Sequence, residues 1–428
     1  MAMTLSNSIS AFAVRGSVVG CNFVAMLAIG SMAEPSTYGA FVFLWSGALL
    51  ISSLISFGAP LYLLKEMALS QTSGGYSANS AIRLIFVYPA LLTAAATSVF
   101  LLLGPQILTL VPDLPGTNST ALILLGLLGF LINLNSCMCS LFHGLNLLNT
   151  SMFLKDAAPQ FIALVSTTFF YLAAEVKLIW MLGSTVALLA ALCLTEVLLF
   201  LHLNRRAGLI NRNGRHGSFT PYYWGGTVTG IAWAQIDILV GAYLMTAEQL
   251  GLYNIVRRIC NFVTLPLSIA TWLTVGKFSR AFQAKDATAL QETVRASLIL
   301  SNGAGAVLAL VVIALILPVQ NFYNFPPHTN FQPVWGILIV QAVTSLLYAP
   351  STTMAQTSGL EASAMYARLW GIVVYLLLVV ILSVWFSGPV LNGVALLAGT
   401  LALNVFVWQR VTTRFGIDSS AFSLFRRA

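Results

Sequence analysis

The stretch "LYNIVRRICNFVTLPLSI", residues 252–269, decides in which solvent this chain folds. It is apolar enough to lie in the hydrocarbon of a bilayer, yet Arg257 and Arg258 stand side by side inside it. A charge within a membrane helix is costly, so it marks either an anchor or a function. The same apolar character runs outward in both directions. Hydrophobic residues make up 58% of the chain and charged residues 7%, against about 25% charged in a soluble domain. Such a chain has too little polar surface to fold in water.

A membrane helix needs about 20 mostly apolar residues, and cutting the chain at its polar and Pro/Gly breaks yields about twelve such spans. The expected boundaries are 9–30, 38–63, 83–104, 119–142, 152–173, 178–203, 221–246, 250–275, 292–317, 332–354, 365–386 and 388–409. No basic stretch precedes the first span and no cleavage motif follows it, so it is expected to stay as a helix. Pro60, Pro159, Pro266 and Pro350 fall inside spans and read as packing kinks or hinges. Cys21, Cys137, Cys139, Cys193 and Cys260 also fall inside spans. With no CxxC motif and no Cys/His cluster, they read as small apolar packing residues. No metal, nucleotide or Ser/His/Asp signature is present, so neither a cofactor nor an enzyme activity is expected.

Cytoplasmic loops collect Lys and Arg. The connections after alternate spans hold Lys65 and Arg83, then Arg205, Arg206, Arg212 and Arg215, then Lys277, Arg280, Lys285 and Arg295. The tail adds Arg410, Arg414, Arg426 and Arg427. The opposite loops, around Glu34, Asp113, Glu248 and His328, have none; Lys177 alone breaks the pattern. Both termini are therefore expected on the cytoplasmic side of a multi-pass membrane protein. The net charge of +8 reads as orientation rather than as a nucleic-acid patch, because no soluble basic domain exists.

The chain also repeats itself. "MAEPSTYGAFVFL" from Met32 echoes "TAEQLGLYNIVRR" from Thr246, pairing Glu34 with Glu248 and Tyr38 with Tyr253. Lys65 and Lys277, like Arg83 and Arg295, stand 212 residues apart, and Asn22 and Asp237 stand 215 apart. An even number of spans per half makes the halves parallel, with a cavity between them. The expected domains are an N-lobe over 1–203, a cytoplasmic link over 204–220, and a C-lobe with tail over 221–428. Within the C-lobe, "KFSRAFQAKDATALQETVR" reads as a short amphipathic surface segment.

Three stretches carry a family resemblance: "GSMAEPSTYGAFVFLWSGALLISSLISFGAP", "AWAQIDILVGAYLM" and "AEQLGLYNIVRRI". They resemble the polysaccharide transporters of the multidrug/oligosaccharidyl-lipid/polysaccharide exporter superfamily, most closely the O-antigen flippases. That resemblance implies an all-α integral membrane fold, two six-helix lobes around a central cavity. It implies flipping of oligosaccharide on undecaprenyl diphosphate from the cytoplasmic to the periplasmic leaflet. The implied partners are that lipid, the surrounding membrane lipids and other polysaccharide-assembly proteins. It also places Arg15 where related lipid flippases have a functional arginine in the first helix.

A diphosphate needs a polar route with fixed cations, since an unpaired anion in hydrocarbon is prohibitively expensive. Arginine suits phosphate through its planar donor fork. Arg15, Arg257 and Arg258 are the candidates, with Asn133, Asn135 and His143 for the sugar hydroxyls and Trp45, Trp224 and Trp233 for flat sugar faces. Arg257 lies about 10 Å into its span and Asp237 about 13 Å into the preceding one, at 1.5 Å per residue. One arginine is therefore expected to pair with Asp237 and the other to face the cavity. The plainer reading, snorkelling of both to the interface, stays open beside it. Lys155 and Asp156 read as an interfacial pair. Glu196 reads as the partner of a nearby cation or as a proton-coupling group.

Two rivals remain in view. A multidrug exporter of the same superfamily shares the fold and would use buried carboxylates; Asp237 suits it, while Arg15 and the arginine pair do not. A membrane polysaccharide polymerase needs a large outer loop with arginines, and the loops near 105–118 and 318–331 have neither property.

Overall fold

The computed structural model describes residues 5–64, 76–110, 118–145, 147–173, 176–207, 210–211, 221–325, 331–357 and 359–424. The architecture is all-α, as the sequence implies. One helix, α1 (Leu5–Met32), precedes α2 (Pro35–Ile55), which restarts as α3 (59–64). A short α4 (Ala78–Ile82) runs through a π-helical turn, Arg83–Val87, into α5 (Tyr88–Leu110). Then follow α6 (Ser119–Gly144), α7 (Leu148–Asp156), α8 (Ala158–Leu172) and α9 (Leu178–Ala207). Next come α10 (Pro221–Leu244), α11 (Ala247–Asn261), α12 (Leu265–Gln283) and α13 (Ala287–Phe322). The chain closes with α14 (Phe331–Leu347), α15 (Ala349–Thr357), α16 (Glu361–Leu382) and α17 (Gly388–Phe415). Among the described residues there is, besides helix, one parallel pairing of two residues each, Tyr76–Ser77 with Ile210–Asn211.

Among the described residues nine helices are long and apolar enough to cross a bilayer, and ten when the bent pair α14–α15 counts as one. α1, apolar over Gly16–Met32, and the shorter apolar α8, Ala158–Leu172, stand where the first and fifth spans are expected. Each expected span thus has a helical counterpart. Exposed flanks such as Leu194 and Leu198 on α9, or Val307 and Leu310 on α13, are the lipid-facing surface that this composition demands.

The four prolines do something more specific than kink. Pro60, Pro159, Pro266 and Pro350 are each the second residue of a restarting helix, namely α3, α8, α12 and α15. Proline lacks an N–H, and the first turn of a helix has no intrahelical use for that donor. The chain before each proline carries the break. Phe57 (φ 46°) and Gly58 (φ 70°) turn left-handed before Pro60. A 3-10 turn over Phe262–Thr264 precedes Pro266. The α14–α15 axis bends by 49°.

In lipid every freed carbonyl needs a partner inside the protein. Two breaks are served by asparagines from the preceding span. Asn135 Nδ2 on α6 donates to the Leu154 carbonyl at 3.1 Å, in the last turn before the α7–α8 break. Asn302 Nδ2 on α13 donates to the Leu346 carbonyl at 3.2 Å, just before the α14–α15 bend.

The chain divides into two compact bodies, residues 17–251 and residues 1–16 with 252–428. In the first, Tyr38, Phe41 and Trp45 of α2 are buried together with Phe142 of α6 and Met181 and Leu189 of α9. α2 also meets α10, where Ser46 Oγ donates to Gln235 Oε1 at 3.0 Å and Trp224 Nε1 donates to the Leu54 carbonyl at 3.0 Å. In the second body, Trp335, Tyr375, Phe278 and Val407 form the core. There the Tyr375 hydroxyl of α16 donates to Asn392 Oδ1 of α17.

The first body also contains a reciprocal crossing. A Cβ on Gly39 would fall 1.9 Å from the Ala247 carbonyl oxygen, and one on Gly251 would fall 2.3 Å from the Pro35 carbonyl oxygen. Small residues let membrane helices approach to backbone contact. Each partner here is the residue one turn before the other glycine, so the contact looks the same from either helix. Gly39 and Gly251, like Pro35 and Ala247, stand 212 residues apart, the offset of Lys65 and Lys277.

The segment "KFSRAFQAKDATALQETVR" is not a separate surface element. It forms the end of α12, a tight turn with Lys285 at φ 55°, and the start of α13. The helical pattern simply continues on both sides of the turn.

Candidate functional site

Polar groups within the spans of the first body gather at one end of α6. Asn135 is 1% exposed, and both ends of its amide are engaged: Nδ2 with Leu154, and Oδ1 accepting from Cys139 Sγ at 3.4 Å. Ser151 Oγ of α7 donates to the Cys139 carbonyl at 2.7 Å. Cys139 also lies within electrostatic reach of Lys155, Asp156, Glu196 and Cys193. Lys155 likewise reaches His143 and Cys137. Asn22 Nδ2 of α1 donates to the Asp156 carbonyl at 3.3 Å. The structure therefore brings Asn135, Lys155, Asp156 and Glu196 around Cys139, with His143 within reach of Lys155.

Sequence reasoning missed Cys139 as that hub and Asn22 as the tie to α1. The two-residue spacing of Cys137 and Cys139 is a weak signal, because it places them on different faces of α6 without saying which face packs on α7.

Glu196 is the outstanding group. It is 2% exposed, and neither carboxylate oxygen has a hydrogen-bond partner among the described residues. Its neighbours on α9 explain the burial. Cys193 and Phe200 face inward with it, while Leu194, Leu198 and Leu199 face outward. Phe200 stacks edge-on with Phe142 of α6 at 6.4 Å, and Cys193 Sγ donates to the Leu131 carbonyl at 3.5 Å. Cys193 lies within electrostatic reach of the Glu196 carboxyl. Asn133, one face removed on α6, is wholly buried; its Oδ1 receives Cys137 Sγ at 3.9 Å, and its Nδ2 has no partner among the described residues. Among the described residues no group of three His, Cys, Asp or Glu side chains converges to hold a metal ion.

Asp237, on α10, is wholly buried in the same body. Arg257 and Arg258, on α11, belong to the other body and are half-buried, in a run where Leu250 to Val256, Ile259 and Cys260 are buried. Arg258 is the basic residue of the last turn of α11, where a cation complements the helix dipole. Arg368, half-buried on α16, is a further span cation of that body. Arg15 is on α1, and its side chain lies outside the described residues, as do Lys65, Asp113, Arg212, Arg215, His328, Arg426 and Arg427.

No known family model matches the chain, and no curated protein does. Solved structures do. A multidrug resistance MATE family transporter of the MOP superfamily, in its inward-facing conformation, aligns with a TM-score of 0.67 at 13% identity, over 95% of this chain and 98% of that one. The MATE multidrug transporter DinF-BH, solved in complex with a ligand, aligns with a TM-score of 0.66 at 16% identity, over 96% of each chain. An outward-facing MATE transporter of the MOP superfamily aligns with a TM-score of 0.63 at 13% identity, over 96% of this chain and 95% of that one. The chain therefore has the all-helical, multi-pass fold of these transporters along nearly its whole length.

Proposed function

We propose that the chain is an alternating-access transporter of the multidrug/oligosaccharidyl-lipid/polysaccharide exporter superfamily, and that its cargo is a lipid-linked oligosaccharide. The observation that carries the cargo reading is the pair Arg257 and Arg258, half-buried near the C-terminal end of α11 among the buried residues Ile255, Val256, Ile259 and Cys260. Two adjacent guanidinium groups suit a diphosphate and repel a cation. The transporter reading is supported by neighbours solved in inward-facing and outward-facing forms. On this proposal the lobes are 1–203 and 221–428 joined through 204–220, the membrane is the bacterial inner membrane with both termini cytoplasmic, and undecaprenyl diphosphate carries the sugar. Glu196 then serves as the group that takes up and releases a coupling cation.

A multidrug exporter is the second reading, and the structural neighbours by themselves favour it, since they are described as multidrug transporters. Buried Asp237 and Glu196 suit a cationic cargo.

One experiment separates the two. A deletion strain is assayed for lipid-linked repeat units that accumulate out of reach of outer-face reagents, and the same strain, with and without the gene, for efflux of a cationic dye. Accumulation without any dye phenotype supports the flippase. Gene-dependent dye efflux with normal surface polysaccharide sinks it.

A further inference from the structure

The end of α12 and the start of α13 enclose a cleft of about 510 Å³ in the second body. Lys277 and Arg280 line it from α12, Asp286 from the turn, and Glu292 and Thr293 from α13, with Thr274 deeper along α12. The remaining four lining residues are alanines, which is what leaves the space.

The cleft stands at the membrane boundary. α12 runs to Gln283 and α13 starts at Ala287, and the charged residues Lys277, Arg280, Lys285 and Asp286 gather where the two helices meet. α13 has 36 residues, about 54 Å at 1.5 Å per residue, whereas a bilayer core is about 30 Å thick. A large part of this helix must stand outside the hydrocarbon, and Gln291, Glu292 and Arg295 mark its first turns as that part. The cleft therefore opens at the level of lipid headgroups.

Helix capping explains only some of these charges. Asp286 Oδ1 accepts from the Ala289 N–H at 3.0 Å and caps α13. Arg280 is in the last turn of α12, where a cation complements the helix dipole. Glu292 lies beyond the first turn of α13, and Lys277 lies before the last turn of α12, where the dipole no longer acts. Both are exposed on the cleft. The Thr274 and Thr293 hydroxyls donate to the Ala270 and Ala289 carbonyls at 2.7 Å each, which leaves their oxygens able to accept.

We propose that this cleft binds the headgroup of a phospholipid bearing both a phosphate and a primary ammonium, the phosphoethanolamine class. Lys277 and Arg280 receive the phosphate. Glu292, with the Thr293 hydroxyl oxygen, receives the ammonium. A purely anionic headgroup meets the same cations but is repelled by Glu292. A quaternary choline brings no N–H to donate to either acceptor. Cations on one helix and a carboxylate on the next form a dipole, and a zwitterion of matching length is the lipid that satisfies both ends. The site is independent of what the protein transports.

The test uses the full-length protein, purified and placed in mixed micelles of equal parts phosphatidylethanolamine, phosphatidylcholine and phosphatidylglycerol. Retained lipid is counted by native mass spectrometry. Retention of the ethanolamine lipid is expected to exceed that of either other lipid by about three- to fivefold, the scale of one exposed ion pair. Glu292→Gln removes the preference over choline. Glu292→Lys turns the preference towards phosphatidylglycerol. Lys277→Gln with Arg280→Gln reduces retention of all three lipids, since each carries the phosphate. All these side chains are exposed, so the variants keep the wild-type unfolding temperature. Preference for phosphatidylglycerol in the native protein, equal retention of all three lipids, or a preference unchanged in Glu292→Lys overturns the proposal. Displacement of the lipid by an equal concentration of soluble phosphoethanolamine also overturns it, because the ligand is then a free zwitterion rather than a membrane lipid.

Discussion

Replacing Gly39 by alanine adds one carbon where the structure has no room for it. Its Cβ would stand 1.9 Å from the Ala247 carbonyl oxygen and 2.8 Å from that carbonyl's carbon. Ordinary contact begins at 3.4 Å, so α2 and the start of α11 must separate by about 1.5 Å, and the obstacle is backbone rather than a side chain that can rotate away. Overpacking of this kind costs about 1–3 kcal/mol, and a rigid neighbour puts it at the upper end. Alanine in place of mid-helix glycine returns about 0.5–1 kcal/mol. The net loss is thus about 2 kcal/mol. Gly336→Ala is the control, since nothing lies within 4 Å of a Cβ there, and it should stabilise by about 0.5–1 kcal/mol. Equilibrium unfolding of the purified variants in mixed detergent measures both. Gly251→Ala, 2.3 Å from the Pro35 oxygen, should lose a comparable amount. The double variant should lose less than the sum, because one separation of the helices relieves both clashes. If Gly39→Ala is as stable as Gly336→Ala, or if the two glycines add fully, the reciprocal crossing is wrong.

Glu196→Met should raise the unfolding free energy by about 1–3 kcal/mol, by removing a buried carboxyl neither of whose oxygens has a hydrogen-bond partner among the described residues, while lowering transport; a variant that is no more stable, or that transports normally, contradicts the role given to Glu196. Asn135→Leu should cost about 1–3 kcal/mol, because it strands the Leu154 carbonyl in an apolar setting, and wild-type stability on unfolding would show that carbonyl to be served by something else.

The spans were legible because hydrocarbon admits little besides apolar helix, so composition nearly dictates them. Where the helices stop was harder. Pro60, Pro159, Pro266 and Pro350 are visible in the sequence, but their common position at the second residue of a restarting helix depends on what precedes them, such as the left-handed Phe57–Gly58 pair. The repeat shows the same limit. Aligning Glu34 with Glu248 and Tyr38 with Tyr253 follows matching letters and slips by two or three residues from the 212-residue offset. The crossing instead aligns Gly39 with Gly251 and Pro35 with Ala247. What was kept there is the absence of a side chain, which letter matching weighs little. The cluster around Cys139 was readable only as separate residues, because the spacing within α6 does not say which face α7 covers.

The two asparagines at the helix breaks bear on how the chain enters the membrane. α8 has 15 residues and α14 has 17, about 22 and 26 Å, and neither alone covers a core of about 30 Å. A polypeptide delivered to the bilayer from its N-terminus offers α6 before α7 and α13 before α14. In each case the span that arrives first carries the amide, Asn135 or Asn302, that accommodates the carbonyl exposed by the interrupted span that follows. The earlier helix is therefore a template for its successor. Insertion of the fifth and tenth spans should be a cooperative step with the span before each, rather than an independent partition of a short segment into lipid.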